Sequence, residues 1–267
     1  MGRVKVHGRQ AEAFLQRLQT NDVAAIPPGR IRYAMILNDQ GLTQDDILVY
    51  RNPRNDGFFV VINAGNTARD LGIMRDVAKG FDVVVEDCTP SLGMIAIQGP
   101  LSQQITQRIA AGDLSQLKYY AWMETTVCGV PMTLSRTGYT GEDGFEVYVP
   151  SGKEQAVWDA FMAAGARVFS LPAAEPGIDL AAGLAALAKE GITRLLVEGG
   201  AQLAAALLRA DLVDRVCWFH APSVMGADGW PATQAFGVQV LAAMPRFVRS
   251  FAQPIGADML TEFRRAA

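Results

Sequence analysis

Near Ala164 the hydrophobic pattern of this chain changes character, so no one fold class describes all 267 residues. Before that point, short apolar alternations predict strands around Val4 and Val6 and over residues 33–37, 46–50, 58–63, 81–86, 94–98, 125–127, 132–135 and 145–149. Helical spacing of apolar residues predicts helices over 10–20, 67–79 and 153–163, and Pro27-Pro28-Gly29 and Asn38-Asp39-Gln40-Gly41 read as turns. Strands that return to one sheet with helices between them predict an α+β domain. After Ala164 the order is strict: strand 167–171, helix 179–189 with Asp179 as N-cap, strand 193–197, helix 202–210, strand 216–222. Such β-α-β-α-β alternation with short connections predicts an α/β domain with a parallel sheet. The length suits two ordinary domains, and we place them at 1–164 and 165–267.

Composition narrows the function classes. Half the residues are hydrophobic and 19% are charged, a globular balance, and the net charge of −3 gives no electrostatic case for nucleic acid or an anionic membrane. The most apolar stretch, 180–208, is interrupted by Lys189, Glu190, Arg194 and Glu198, so no membrane span is expected. Arg3, Lys5 and His7 are followed by no apolar core, so no secretory signal is expected at the start. Cys88, Cys128 and Cys217 share no short spacing, which argues against a disulfide framework or zinc site and fits a reducing cytoplasm. With His7 and His220 the only histidines, no metal is expected.

Two features before Ala164 carry chemistry. Asp45-Asp46 stands where a turn enters a strand, and neighbouring strand residues point to opposite faces, so one of the pair can face a cleft and hold a cationic amine. Turn chemistry at a solvated edge is the other reading. The second feature is the run Ser135-Arg136-Thr137-Gly138-Tyr139-Thr140-Gly141-Glu142-Asp143-Gly144-Phe145-Glu146. Its glycines permit positive φ and close backbone approach, Tyr139 offers an aromatic face, and Glu146 can accept two N–H bonds from a flat heterocycle. The same run also reads as a hairpin with a charged tip.

This run, with Phe14-Leu15-Gln16, Thr20-Asn21-Asp22, Asp45-Asp46, Val61-Ile62-Asn63-Ala64 and Gln98-Gly99-Pro100 in order, resembles the T-protein of the glycine cleavage system, a tetrahydrofolate-dependent aminomethyltransferase. The resemblance spans about residues 1–163 and implies a partial aminomethyltransferase fold. It implies that Asp46 is the catalytic carboxylate beside the folate nitrogen and that Glu146 meets the pterin edge. Tyr33, Tyr50, Asn63 and Tyr139 would line the folate cavity. It further implies a lipoyl carrier protein as partner. The family pattern extends beyond this span at both ends, and Gly41-Leu42-Thr43-Gln44 departs from its usual approach to the aspartates.

Past Ala164, Val197-Glu198-Gly199-Gly200-Ala201 joins a strand to a helix, where glycines let backbone N–H groups approach a phosphate, or simply serve a tight turn. Together with Gly191-Ile192-Thr193-Arg194, Leu212-Val213-Asp214, Ala221-Pro222, Met225-Gly226, Pro245-Arg246-Phe247 and Gly256-Ala257-Asp258, it resembles the reductase domain of the bifunctional riboflavin-biosynthesis deaminase-reductase. That resemblance implies a partial dihydrofolate-reductase-like fold. It also implies NADPH as cofactor, Glu198 as a catalytic acidic residue on the substrate side, and Gly199, Gly200 and Ala201 at the NADPH phosphates. The expected activities are aminomethyl transfer and NADPH-dependent reduction of a ribosylaminopyrimidine phosphate, in a fusion of two incomplete domains that acts on small molecules. A non-catalytic folate- or nucleotide-binding module, forming a homodimer through its C-terminal strands, is the competing reading. Each part is expected to expose apolar surface.

Overall fold

The structure, a computed structural model, describes residues 1–175, 177–224, 226, 229 and 231–266. Met225, one of the positions carrying the second resemblance, lies outside the described residues, as does Ala267 at the end of the expected second domain. The chain divides into two compact units, Met1–Arg167 and Val168–Ala267.

In the first unit, β1 (Gly2–His7), β2 (Ile31–Leu37), β3 (Thr43–Arg51), β4 (Phe58–Ile62) and β5 (Val84–Asp87) form an antiparallel sheet in the order β2-β3-β4-β1-β5. Helices α1 (Ala11–Leu18) and α2 (Thr67–Ala78) belong to the same half. Helix α1 buries Phe14, Leu15 and Leu18 at helical spacing, and α2 buries Leu71 and Met74. These meet Val4, Val6, Ile47, Val49, Val60 and Ile62 in one apolar cluster.

Strand parity sends the alternate residues Leu48, Tyr50, Phe59 and Val61 into a different cluster, together with Trp122 and Tyr148. All five residues of β4 are therefore buried, because both of its faces are covered. Trp122 and Tyr148 come from a second antiparallel sheet, β6 (Leu92–Gln98), β7 (Trp122–Val127), β8 (Val130–Ser135) and β9 (Gly144–Pro150), in the order β6-β9-β8-β7. Helices α3 (Ser102–Gln107) and α4 (Glu154–Ala163) accompany it, with Phe145, Val147, Val149, Val157 and Phe161 in its own core. Tyr50, Phe59, Trp122 and Tyr148 join the two sheets through edge-to-face contacts with ring centroids 5.0 to 6.1 Å apart. The Trp122 indole N–H also donates to the Arg51 carbonyl at 2.8 Å. The expected mixture of sheet and helix is observed here.

The second unit corrects the expected parallel sheet. Residues 166–172 and 192–200 are irregular chain and not strands. Among the described residues its strands are β10 (Arg215–His220), β11 (Phe247–Ile255) and β12 (Asp258–Arg265), antiparallel in the order β10-β12-β11. A parallel strand is stable when both faces are covered. Leu195 and Leu196 are instead exposed, Leu196 by 79%. The β11–β12 hairpin closes locally at Gly256, whose φ of +62° suits glycine, and so needs no crossover. Helices α5 (Leu180–Lys189) and α6 (Ala201–Arg209) form as expected, and Asp179 caps α5 by accepting the Ala182 N–H at 2.9 Å. Among the described residues no helix is long and apolar enough to cross a membrane.

Candidate active site

Strand parity assembles the site. Asp46 shares its side of β3 with Leu48 and Tyr50, and Glu146 shares its side of β9 with Tyr148. Both carboxylates therefore point into the space between the two sheets, at the margin of the aromatic cluster. Tyr33 lies opposite Leu48 in the β2–β3 register and faces the same way. Asp45 takes the other face, toward α2, and is buried.

Tyr33, Tyr120 and Tyr139 each lie within electrostatic reach of Asp46. Burial raises the Tyr139 phenol above its ordinary range, and the charge of Asp46 adds to that, followed by Tyr120, Glu146 and Tyr33. Burial also raises the Tyr33 phenol, with Asp46 as its chief charged neighbour. Tyr120 is raised by burial and then by Tyr119, Tyr33, Glu146 and Asp46. Tyr33 and Tyr139 keep exposed ring surface, 38% and 61% of each residue. The arrangement brings two carboxylates within electrostatic reach of accessible aromatic residues.

Glu146 is nearly buried, and burial raises its carboxyl above the usual carboxylate range while a hydrogen bond from Thr137 pulls it back. The Thr137 hydroxyl meets that of Ser135 at 2.7 Å, Ser135 meets Tyr50 at 3.5 Å, and Tyr50 meets Tyr148 at 2.8 Å. Tyr50, expected at the cavity wall, is 0% exposed and stands under the site as a link in this hydroxyl chain. Burial pushes its phenol up to about 12, with the Glu146 charge adding, so it stays protonated at neutral pH.

The glycines of the Ser135–Glu146 run have separate physical causes. A Cβ on Gly138 or Gly144 would come within 2.1 or 2.0 Å of the Gln98 Oε1. That side chain donates to the carbonyls of Thr137 (3.0 Å), just past β8, and Phe145 (3.2 Å) in β9, and so ties the two arms of the hairpin together. Gly141 has open space around it but a φ of +73°. At the base of the hairpin Arg136 grips Asp143 with two bonds, at 2.8 and 2.6 Å, and donates to the Leu117 carbonyl at 2.9 Å.

Asn63 connects the two aspartates. Its amide nitrogen lies 3.0 Å from both the Asp45 Oδ1 and the Asp46 Oδ1, and its main-chain N–H donates to the Asp45 Oδ2 at 3.0 Å. Asn66 adds a bond to the Asp45 Oδ1 at 2.6 Å. Asn63 is thus placed as the positioning group of Asp46. Sequence reasoning marked Asp45, Gln98, Ser135 and Thr137 only as parts of motifs, with no role of their own, and missed Asn66, Asp70, Tyr120 and Tyr148. Of these last four, Tyr148 had a usable signal, since it lies two residues from Glu146 on one strand.

Glu198, Gly199 and Gly200 belong to the second unit and are exposed on irregular chain, while Ala201 opens α6. A Cβ on Gly199 would meet the Leu203 side chain at 2.6 Å, whereas Gly200 has open space. Packing against the first turn of α6 therefore accounts for Gly199.

Two antiparallel sheets joined by an aromatic cluster, with paired carboxylates at their margin, define the class, and comparison with known proteins gives the family. The GCVT N-terminal domain matches residues 1–176, and the chain belongs to that family. The RibD C-terminal domain matches residues 150–260. The chain is 42% identical to an aminomethyltransferase of Geobacillus kaustophilus over 173 residues, covering 64% of this chain and 47% of that protein. It is 40% identical to one from Bacillus subtilis over 166 residues, covering 62% and 45%. The crystal structure of glycine cleavage system aminomethyltransferase T from Bartonella henselae superposes with a TM-score of 0.55 at 28% identity, over 60% of this chain and 43% of that one. The chain thus spans about half the length of the curated relatives it matches.

Proposed function

We propose that the first unit binds tetrahydrofolate and performs the aminomethyl transfer of glycine cleavage, with Asp46 as its catalytic carboxylate. What supports this reading is that Asp46 and Glu146 both point into the space between the two sheets, where their charges reach Tyr139. A flat pterin suits exposed aromatic faces, and its N–H edge suits the oriented acceptor that Thr137 holds at Glu146. Asp46, fixed by Asn63, stabilises positive charge that develops where the one-carbon unit reaches the folate nitrogen. Tyr50 supports Glu146 from below. The donor of the one-carbon unit is an aminomethyl-lipoyl carrier protein, and ammonia leaves. Free thiols at Cys88, Cys128 and Cys217 suit a cytoplasmic setting.

The test is to titrate tetrahydrofolate into the purified chain and follow ammonia release from an aminomethyl-lipoyl carrier. Saturable binding is expected, lost in Glu146→Gln. Asp46→Asn should keep binding but lower transfer by about 10²–10³-fold, the usual cost of one preorganised electrostatic group. Binding without any transfer by the wild type would leave the non-catalytic module, and no binding would overturn both.

For the second unit we propose a reductase-like segment whose nucleotide contact is the start of α6, with Glu198 on the substrate side. Gly200 and the first N–H groups of α6 suit a phosphate of NADPH. The surrounding residues 192–200 are exposed irregular chain and do not fit an enclosed dinucleotide site, so no hydride step is derived from them.

A further inference from the structure

Helix α2 carries an acid the transfer chemistry does not use. Asp70 is 0% exposed, although it sits on a helix whose other buried residues are Leu71 and Met74. Its carboxyl group meets that of Asp45 across the helix–sheet interface. Two buried carboxylates in contact repel each other strongly in a medium of low polarity. The donors are shared unevenly. Asp45 accepts from the Asn63 N–H, the Asn63 amide and the Asn66 amide. Among the described residues Asp70 receives only the Arg69 Nε–H at Oδ1, at 3.2 Å, and its Oδ2 is buried without a partner.

We propose that Asp45 and Asp70 hold a single proton between their carboxyl groups, carried by Asp70, and that this pair acts through Asn63 to fix the Asp46 carboxylate. A protonated Asp70 donates to Asp45. Asp45 then stays ionised and holds Asn63 and Asn66. The Asn63 amide spans the Asp45 Oδ1 and the Asp46 Oδ1. The charged groups facing the pair are Arg69 on α2 and, through Asn63, Asp46 on β3. Arg69 alone would favour an ionised Asp70, but its side chain is 46% exposed, which weakens its pull. Burial and the Asp45 charge outweigh it and lift the Asp70 carboxyl to about 7, whereas the hydrogen bonds to Asp45 hold that group below its ordinary value.

The shared proton stands apart from the functional reading, and only the role of Asp46 in transfer rests on it. The test is a pH titration of the full chain, with aspartate isotopically labelled at the side-chain carboxyl carbon and followed by NMR. One aspartate should titrate near neutrality, and the Asp46 carboxyl and Asn63 side-chain amide signals should shift at the same midpoint. Asp70→Asn should abolish that transition while its amide keeps a donor toward Asp45. Asp45→Asn should lower the Asp70 midpoint, with burial still holding it above the ordinary aspartate value. If every wild-type aspartate titrates at ordinary acid pH, or the neutral transition survives in Asp70→Asn, the proposal is overturned. An Asp46 signal that ignores the transition overturns the positioning role. If either variant fails to fold, the wild-type titration still decides. Failure of tetrahydrofolate to bind would sink the functional reading and leave this result standing.

Discussion

The buried acids link residue chemistry to pH. The Asp70 value of about 7 lies above the 3.8 of a free aspartate, so the folded chain keeps a proton that the unfolded chain has already lost. Its contribution to stability is complete below the unfolded value and is lost as pH rises toward neutrality. Denaturant midpoints should therefore fall as pH rises from about 4 to about 7, with a flatter profile in Asp70→Asn. Glu146 is also raised by burial and adds to the loss in the same direction. Thr137→Val takes the donor from a nearly buried carboxylate and should cost about 1–3 kcal/mol in chemical unfolding, as expected for an unsatisfied buried acceptor. An unchanged midpoint would show that water replaces the hydroxyl.

At the scale of elements, the β8–β9 hairpin depends on side-chain volume. Gly144→Ala drives a Cβ to 2.0 Å from the Gln98 Oε1, so the amide that ties the two arms of the hairpin must move. Gly141→Ala meets nothing, and its cost is the backbone strain of positive φ alone, about 1–2 kcal/mol. Gly144→Ala is therefore expected to lower the unfolding midpoint more and to weaken folate binding. Equal effects of the two substitutions would contradict the role given to Gln98. In the second unit, Asp179→Ala removes the α5 cap and should cost about 1 kcal/mol, read as lost helical signal on mild denaturation.

Across the whole molecule the two units differ in how much they bury. The first holds three apolar clusters. In the second, Ala205 and Leu207 are the hydrophobic residues buried among those described. Core strands with covered faces open only with global unfolding, whereas exposed strands open locally. Amide exchange should thus be slow in β4 and β9 and fast in β10, β11 and β12. An apolar dye should bind the chain, because Leu195, Leu196, Phe219 and Leu241 are exposed. Protection in β12 equal to that in β4 would refute this picture.

Much of the first unit could be read from local pattern, since period-2 alternation and helical spacing report which face is buried. The pattern also marked Asp45-Asp46 and the glycine-rich run. Parity required that the two aspartates face apart, but which of them faced the cleft depended on the sheet that packs against β3. Tyr50 looked like a cavity residue until Trp122 and Tyr148 covered it. Asp70, Thr137 and Gln98 acquired roles only through partners 25, 9 and 39 residues away, at Asp45, Glu146 and Thr137. The pattern misled for 167–171 and 193–197, because an apolar run becomes a strand only when neighbours supply its hydrogen bonds and cover its faces. Sequence determined where chain segments alternate and which residue types were present. Tertiary structure decided which of them met, because burial and pairing between distant segments are properties of the assembled sheets.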